Sequence, residues 1–263
     1  MRAQSVAGSD GFAAPDVSDF WQPLFGTDGP FAITRASVVL GLSVVVICWW
    51  LLAATRKLSL VPGRSQLLTE SVYGLVRNSV AREVIGSRDF LRFVPFLFSM
   101  FVLILVNNLF GVIPPIQFPT MSRVAVPAAL TLVVFVLYHY LGIRRRGVVG
   151  YFRSLMPPGV GIGLGVLIYP LELITYFFTR PVTLALRLFG NMFAGHLLLL
   201  LFITGGEYLV FEAGGVGMTA AGGVSWVMGF VMTVFEILVE FLQAYIFTLL
   251  SALYIAGALA DEH

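Results

Sequence analysis

Charged residues are scarce in this chain. Only 11% of its 263 residues are charged, against about 25% in ordinary soluble domains, and 58% are hydrophobic. This balance excludes a soluble globular domain and indicates a polytopic membrane protein. The apolar runs are continuous, which favours helices over the alternating strands of a transmembrane barrel. Cysteine is almost absent too, and the single Cys48 cannot form an internal disulfide.

Motifs for phosphate binding and for internal symmetry are also missing. No glycine-rich loop precedes a Lys-Ser or Lys-Thr pair, so nothing in the chain predicts a nucleotide site. The absence of an evident internal repeat gives no support to an inverted-repeat transporter. The net charge of +2 is no argument for a nucleic-acid partner, and none is expected. We expect no cofactor, metal ion or catalytic residue on this chain.

Five apolar segments follow a polar N-terminal tail, residues 1–30, which is expected on the outer side of the membrane. Three segments have the length of about 20 residues that one span requires, and two are about twice as long. Each long segment is either two spans or one strongly inclined helix. The fourth has no polar turn near its middle, only Arg180-Pro181, which can kink a helix without ending it. One inclined helix is therefore favoured. The predicted membrane helices are residues 31–55, 93–113, 124–142, 160–204 and 222–260.

The predicted fold class is all-α integral membrane, with a single membrane domain over residues 31–263. A glycine-rich connection, residues 205–223, makes the last two helices an antiparallel hairpin. Residues 67–90 mix aliphatic side chains with Arg and Glu, which is typical of an amphipathic helix at the membrane surface. A solvated loop is the alternative for this segment. The architecture is thus about five membrane helices plus one interfacial helix.

Basic residues are concentrated on one side of this topology. Seven lie in the connection after the first span and four follow the third. The N-terminal tail and residues 205–223 carry acids and no basic residue apart from Arg2. Because basic residues mark cytoplasmic connections, we expect the N-terminus outside and the C-terminus in the cytoplasm.

A few polar side chains lie within the apolar segments, where their cost makes each a functional hypothesis. Arg187 is the foremost, because its guanidinium stays charged and costs about 2.5–3.5 kcal/mol at the centre of a membrane helix. Arg180 and Glu172 have an alternative, since they can reach the lipid headgroups. Asn107 and Asn108 either line a water-accessible vestibule or cap their helix. The other ionisable residues are His139, His196, Glu236 and Glu240.

Polar residues on each of the two long segments recur at helical spacing, which places them on shared faces. The fourth segment contributes one such face and the fifth another. The first face consists of Thr183, Arg187 and Asn191, and the second of Glu236, Glu240 and Gln243.

The hairpin sets which of these residues meet. If the chain turns near residue 214, antiparallel pairing places Arg187 beside residues 240–243. It also places His196 beside residues 232–236. We therefore predict two polar clusters, one containing Arg187 and the other containing His196.

The two clusters suit different chemistry. His196 and Glu236 suit proton transfer, because imidazole titrates near neutrality and a glutamate out of water can take up a proton there. Arg187 suits the contrary task, since a fixed positive charge repels protons and attracts a carboxylate. The structural alternative is that Arg187 only pairs with Glu240 and holds the hairpin together.

Three stretches resemble a known family. The run Arg-Leu-Phe-Gly-Asn-Met-Phe-Ala-Gly-His at 187–196 is similar to the signature of subunit a of F-type ATP synthases. Residues 236–250 resemble the last helix of that subunit, and residues 108–115 resemble the end of an earlier one. The likeness covers essentially the whole chain beyond residue 30, including the order and length of its elements.

This resemblance implies a stator subunit that faces a rotating ring of c subunits. Its other partners would be the peripheral-stalk b subunits and the rest of the ATP synthase, in a bacterial plasma membrane. Two offset half-channels would carry protons to the ring carboxylate. Arg187 would be the essential arginine that prevents a short-circuit, with Asn191 and Gln243 beside it. His196 and Glu236 stand where many bacterial members have an acid and a histidine, so the pair is exchanged here.

Two other functions compete with this one. A secondary proton-coupled transporter would require repeat symmetry and a substrate pocket near the membrane midplane. A purely structural assembly subunit would leave the intramembrane charges without a purpose. Glu240 is a further candidate for proton translocation, and Glu172, Asn107 and Asn108 are candidates for lining a channel.

Overall fold

The fold is an all-α membrane protein, as the apolar segments predict. Among the described residues, five helices are long and apolar enough to cross a membrane. The predicted N-terminal tail lies outside the described residues except for Pro23–Phe25. The computed structural model describes residues 23–25, 33–56, 59, 61–113, 118, 120–156 and 162–260.

A short antiparallel strand pair precedes the first membrane helix. Strand β1 is Pro23–Phe25 and strand β2 is Ile33–Thr34. Helix α1, Arg35–Thr55, begins directly after β2. The helix therefore starts later than the predicted residue 31, because Ile33 and Thr34 direct their backbone hydrogen bonds to a strand. Beyond Arg35, α1 contains no charged residue, which suits a helix with lipid on most sides.

The predicted interfacial segment is helical. It begins with α2, Arg64–Gly74, continues as a π-helix over Leu75–Arg82 and ends as α3, Glu83–Ile85. Within it Val76 and Val80 are fully buried in the hydrophobic core. The loop alternative is therefore wrong for this segment, and its location at the membrane surface stays a prediction.

The second membrane helix has about its predicted length, and the third is longer than predicted. Helix α4 spans Phe90–Val112, close to its predicted range. Helix α5 spans Ala125–Ser154 and continues well past the predicted end at residue 142. It is broken at Gly147, whose φ of 72° is a conformation that glycine adopts without strain. The basic cluster after the third span is thus part of a kinked helix.

The fourth membrane element is one bent helix, as predicted. Helix α6, Ile162–Ile174, passes into a π-helical turn at Thr175–Thr179 and then into α7, Arg180–Phe211. The wider turn lies directly before Pro181, which has no N–H to donate. A π-turn absorbs such an interruption while the helix continues.

The last helix and its connection differ from the prediction in length. Helix α8 spans Val216–Leu259. The connection from α7 is therefore only residues 212–215, not the predicted 205–223. Gly214 and Gly215 have φ of 63° and 95° and supply the left-handed backbone of this tight turn.

The described residues form two compact units. Those within 1–34 and 194–236 form one, and those within 35–193 and 237–263 form the other.

The smaller unit contains the hairpin tip, where glycines permit close helix packing. A Cβ on Gly222 would lie 2.6 Å from Cγ2 of Val210 and 2.8 Å from the carbonyl oxygen of Gly206. Only glycine allows two helices to approach so closely. Beside this contact Ser225 Oγ donates a hydrogen bond to the Phe202 carbonyl at 2.8 Å. Glycines that suggested a long loop therefore serve helix packing, which is why the predicted connection was too long.

The larger unit has an apolar core shared by several helices. Its buried side chains come from the π-helical segment after α2 and from α4, α5, α7 and α8. Helix α1 packs against it through Ile47 and Trp50. Among the side chains with no exposed surface are Val76, Leu97, Phe101, Ile104, Leu188 and Phe247.

Candidate functional site

Helix α7 has an exposed polar face in the larger unit. Thr183, Arg187 and Asn191 are all exposed, in agreement with the shared face that their spacing predicts. On the opposite side Leu184 and Leu188 are 1% and 0% exposed and belong to the core. Because these leucines fix the rotation of the helix, Arg187 is directed away from the core.

The Arg187 side chain has no counter-ion among the described residues. Within the part of the chain that the structure describes, its guanidinium makes no hydrogen bond or ion pair. The structural alternative, an ion pair with Glu240, is therefore absent from these residues. The guanidinium is exposed at the surface of the helix.

The amide of Asn191 joins α7 to α8. Its Nδ2 donates a hydrogen bond to Gln243 Oε1 at 2.8 Å. Gln243 is only 3% exposed, and its Nε2 has no hydrogen-bond partner among the described residues. The hairpin register predicts Gln243 near the polar face of α7, and its hydrogen-bond partner on that face is Asn191, one turn from Arg187.

Glu240 is buried where α4, α7 and α8 meet. It is 4% exposed, and Asn108 Nδ2 donates to its backbone carbonyl at 3.3 Å. A Cβ on Gly111 would lie 3.6 Å from Glu240 Oε1 and 2.5 Å from Cε of Met192. Gly111 thus leaves room for the end of the Met192 side chain, and a Cβ there would make only an ordinary contact with the acid. Asn108 Oδ1 is also buried, with no hydrogen-bond partner among the described residues.

Asn107 has a structural role. Its Nδ2 donates to Ser43 Oγ at 2.9 Å and to the Leu103 carbonyl at 2.8 Å, while its Oδ1 accepts from Thr120 Oγ1 at 3.0 Å. These bonds tie α4 to α1 and to the short 3₁₀ turn Thr120–Ser122. With three hydrogen bonds inside the protein and a completely buried side chain, Asn107 is held as a structural residue, and its place in a vestibule stays a prediction.

The smaller unit contains the second pair of candidate residues. His196 on α7 and Glu236 on α8 are 5% and 7% exposed. A Cβ on Gly195, next to His196, would lie 2.8 Å from Glu236 Oε1. The hairpin register predicted residues 232–236 beside His196, and the location of Glu236 agrees with it. Glu236 Oε1 has no hydrogen-bond partner among the described residues.

Sequence reasoning did not identify Gly195 or Gly111 as part of either cluster. Gly195 lacks a side chain where the Glu236 carboxyl lies, and Gly111 lacks one where the end of Met192 lies, beside Glu240. The sequence did offer one signal: each glycine lies inside a predicted helix. A glycine in the middle of a helix usually indicates close packing.

Glu172 and Arg180 belong to the first part of the bent helix. Glu172 is half-buried on α6, and no hydrogen bond among the described residues connects it with either cluster. Arg180 is half-buried and lies with its Cζ 3.5 Å from the centre of the Tyr176 ring. Cation–π contact of this kind holds the guanidinium within the protein. Arg180 therefore does not depend on reaching the headgroups.

These features define a class of protein. It is a polytopic α-helical membrane protein whose last helical hairpin has two buried acids and an arginine without a counter-ion on the described residues. In those residues, no group of three His, Cys, Asp or Glu side chains is placed to hold a metal ion.

Comparisons with known proteins identify the family. The model of the ATP synthase A chain family matches residues 37–256. ATP synthase subunit a of a Nocardioides species is 44% identical, with 98% of this chain and 97% of that protein covered. The subunit a of Streptomyces lividans is 40% identical over 96% of this chain and 90% of its own length. That of Pseudarthrobacter chlorophenolicus is 39% identical, with 96% and 95% covered. The chain therefore belongs to the ATP synthase A chain family.

Proposed function

We propose that this protein is the proton-translocating stator subunit of a rotary ATP synthase. The observation that carries the proposal is Arg187, which is exposed on an apolar helix and has no acid partner among the described residues. A charge in that position costs about 2.5–3.5 kcal/mol in a bilayer. A carboxylate on a partner that passes this face would offset the cost.

Arg187 acts as a divider in this proposal. Its positive charge attracts the carboxylate of a c subunit and causes that group to release its proton as it passes. The same charge repels free protons, so two half-channels that end on either side of it are not connected. Asn191 holds Gln243 next to this face with a hydrogen bond of 2.8 Å.

Polar side chains within the helices form the half-channels. The Glu236–His196 pair passes protons along, because a carboxyl and an imidazole are both side chains that can accept and release a proton. Glu240 and Gln243 contribute the buried polar surface of the larger unit. Glu172 stays a candidate for lining a half-channel, since it is half-buried in the apolar α6. We expect no site for ATP on this chain, because its sequence has no glycine-rich loop before a Lys-Ser or Lys-Thr pair.

The surroundings follow from the charge distribution and the family. The N-terminus lies outside and the C-terminus in the cytoplasm, because the connections rich in arginine face inward. The membrane is a bacterial plasma membrane. Partners are the ring of c subunits, the b subunits of the peripheral stalk and the remaining subunits of the complex.

ATP-driven proton pumping in inside-out membrane vesicles tests the proposal. Arg187→Ala should abolish pumping while membrane-bound ATP hydrolysis shows that the complex has assembled. Thr183→Ala is the matched control, since it alters the same exposed face one turn away and removes no charge. Normal pumping with Arg187→Ala would refute the function proposed for the arginine.

A residue exchange tests the proton-transfer pair. Glu236→His alone should impair pumping, because two imidazoles then face one another without an acid. Adding His196→Glu restores one acid and one histidine and should recover part of the rate. A double variant no better than the worse single variant would mean that the two residues do not act together.

A further inference from the structure

The π-helical turn before α7 is held by side chains from two other helices. The backbone N–H of Arg180 donates to the Thr175 carbonyl, five residues back. In a regular α-helix it would donate to the Tyr176 carbonyl. That carbonyl instead accepts a hydrogen bond of 2.8 Å from the Tyr138 hydroxyl of α5. Tyr138 thus satisfies the backbone group that the wider turn releases.

The side chain of Arg180 fixes the same turn against α8. Its Cζ lies 3.5 Å from the centre of the Tyr176 ring and 5.1 Å from the centre of the Tyr254 ring. The flat guanidinium stacks on aromatic rings in a way that an ammonium group cannot. Tyr138, Tyr176, Arg180 and Tyr254, all in the larger unit, are called the Arg180 clamp below.

The clamp holds the π-turn directly before α7, and this turn sets the rotation of α7 about its axis. A π-turn contains one residue more than an α-turn, so it rotates every later residue about the helix axis by roughly 100° relative to an uninterrupted helix. Arg187 follows Arg180 by about two turns and lies on nearly the same face. Both guanidinium groups act electrostatically on Tyr254. The direction of Arg187 therefore depends on the turn that the clamp holds.

We propose that Arg180 is a positioning residue for Arg187: stacked on Tyr176 and Tyr254, it locks the π-turn and so aims Arg187 at the partner's carboxylate. This inference rests on the proposed function and adds to it a positioning residue, Arg180, and a π-turn that sets the rotation of α7. Arg180 itself transfers no proton. If the clamp loosens, α7 can rotate, and Arg187 meets the carboxylate less often and separates the half-channels less well.

Ring and charge substitutions in the assembled complex test this proposal. Tyr254→Leu removes the ring under Arg180, and Tyr254→Phe keeps the ring as a matched control. Arg180→Lys keeps the charge and removes the planar stacking group. Inside-out vesicles are assayed for ATP hydrolysis, for ATP-driven proton pumping, and for passive proton leak after the catalytic head is removed.

We expect Tyr254→Leu and Arg180→Lys to lower the ratio of pumping to hydrolysis by roughly tenfold, the scale of a desolvated cation–π contact. Passive leak should rise in both, and Tyr254→Phe should behave as the unaltered protein. Combining Arg180→Lys with Tyr254→Leu should add little to either single change.

An unchanged ratio of pumping to hydrolysis in Tyr254→Leu and Arg180→Lys would overturn the proposal. So would losses that follow only the amount of assembled complex, because these would indicate a structural role alone. If Arg180→Lys fails to assemble, the contrast between Tyr254→Leu and Tyr254→Phe decides. Arg187→Ala, measured in parallel, separates the two hypotheses: normal pumping there refutes the proposed function, whereas its loss with an unchanged Arg180→Lys refutes only the clamp.

Discussion

Replacing Gly195 by alanine should displace the Glu236 carboxyl without altering its chemistry. The added Cβ would stand 2.8 Å from Oε1 and 3.3 Å from Cδ of Glu236. Since non-bonded atoms prefer separations of about 3.5 Å or more, the carboxyl must move by roughly 0.5–1 Å. Glu236 is only 7% exposed, so it must displace neighbouring atoms as it moves.

Two opposing effects determine the stability of the Gly195→Ala variant. Alanine is better than glycine inside a helix by about 0.5–1 kcal/mol. Overpacking a filled interior costs about 1–3 kcal/mol. The net effect is a small loss in the free energy of unfolding, so the complex should still assemble. Proton transfer is more demanding, because a misplacement of about 1 Å can lower a rate by roughly 100-fold. We therefore expect pumping to fall by roughly 10- to 100-fold in this variant.

ATP-driven pumping, normalised to the amount of assembled complex, measures this effect. Gly229→Ala in the same unit is the control, because its Cβ would lie 3.5 Å from Cβ of Phe202, an ordinary contact. If Gly195→Ala pumps at the rate of this control, the position of the Glu236 carboxyl is not critical and the reasoning fails.

Three further substitutions have expected outcomes of different kinds. Gly222→Ala should destabilise the hairpin tip by about 1–3 kcal/mol and reduce the amount of assembled complex. Gly223→Ala is the control and should not, because its Cβ would have no atom within 4 Å. Equal amounts of the two variants on immunoblots would contradict the close approach of the helices at Gly222. Asn191→Leu and Gln243→Leu should each reduce pumping, and the double variant should fall short of their combined effect by about 0.5–1.5 kcal/mol. Strict additivity would show that their hydrogen bond has no role. Asn107→Leu takes the acceptor from the buried Thr120 hydroxyl and one donor from Ser43 Oγ, so it should lower assembly, not the pumping rate per complex. A specific loss of pumping would instead favour a channel role for Asn107.

Much of the fold was predictable because apolar length and charge position are strong signals in a membrane protein. The five membrane helices follow from runs with almost no charge, and the single bent fourth element follows from Arg180-Pro181. The π-turn at Thr175–Thr179 was not predictable. It depends on Tyr138 satisfying a released carbonyl from another helix, and no local pattern indicates that bond.

Glycine was the least reliable signal. The run between residues 205 and 223 suggested a long loop, yet only Gly214 and Gly215 adopt turn conformations. Gly206 and Gly222 lie in helices that pack closely, and the sequence of one helix does not reveal how near its neighbour comes. For the same reason, the sequence did not reveal that the Glu236 carboxyl lies against Gly195.

The candidate site was predictable in its members and less so in its contacts. The hairpin register predicted the location of Glu236 near His196, and it did not predict that Gln243 bonds Asn191. The exposure of Arg187 could not be inferred from one chain, because burial in an assembly and burial in a subunit are different properties. Its energetic cost pointed to a counter-ion, and the described residues do not supply it.

Passive proton flow with the ring held still tests the central claim most directly. The ring is cross-linked to the stator in vesicles stripped of the catalytic head, and proton leak is measured with Arg187 present and with Arg187→Ala. If the arginine separates two half-channels, the unaltered protein stays closed to protons and the variant leaks although nothing rotates. Equal and negligible leak in both would contradict the account.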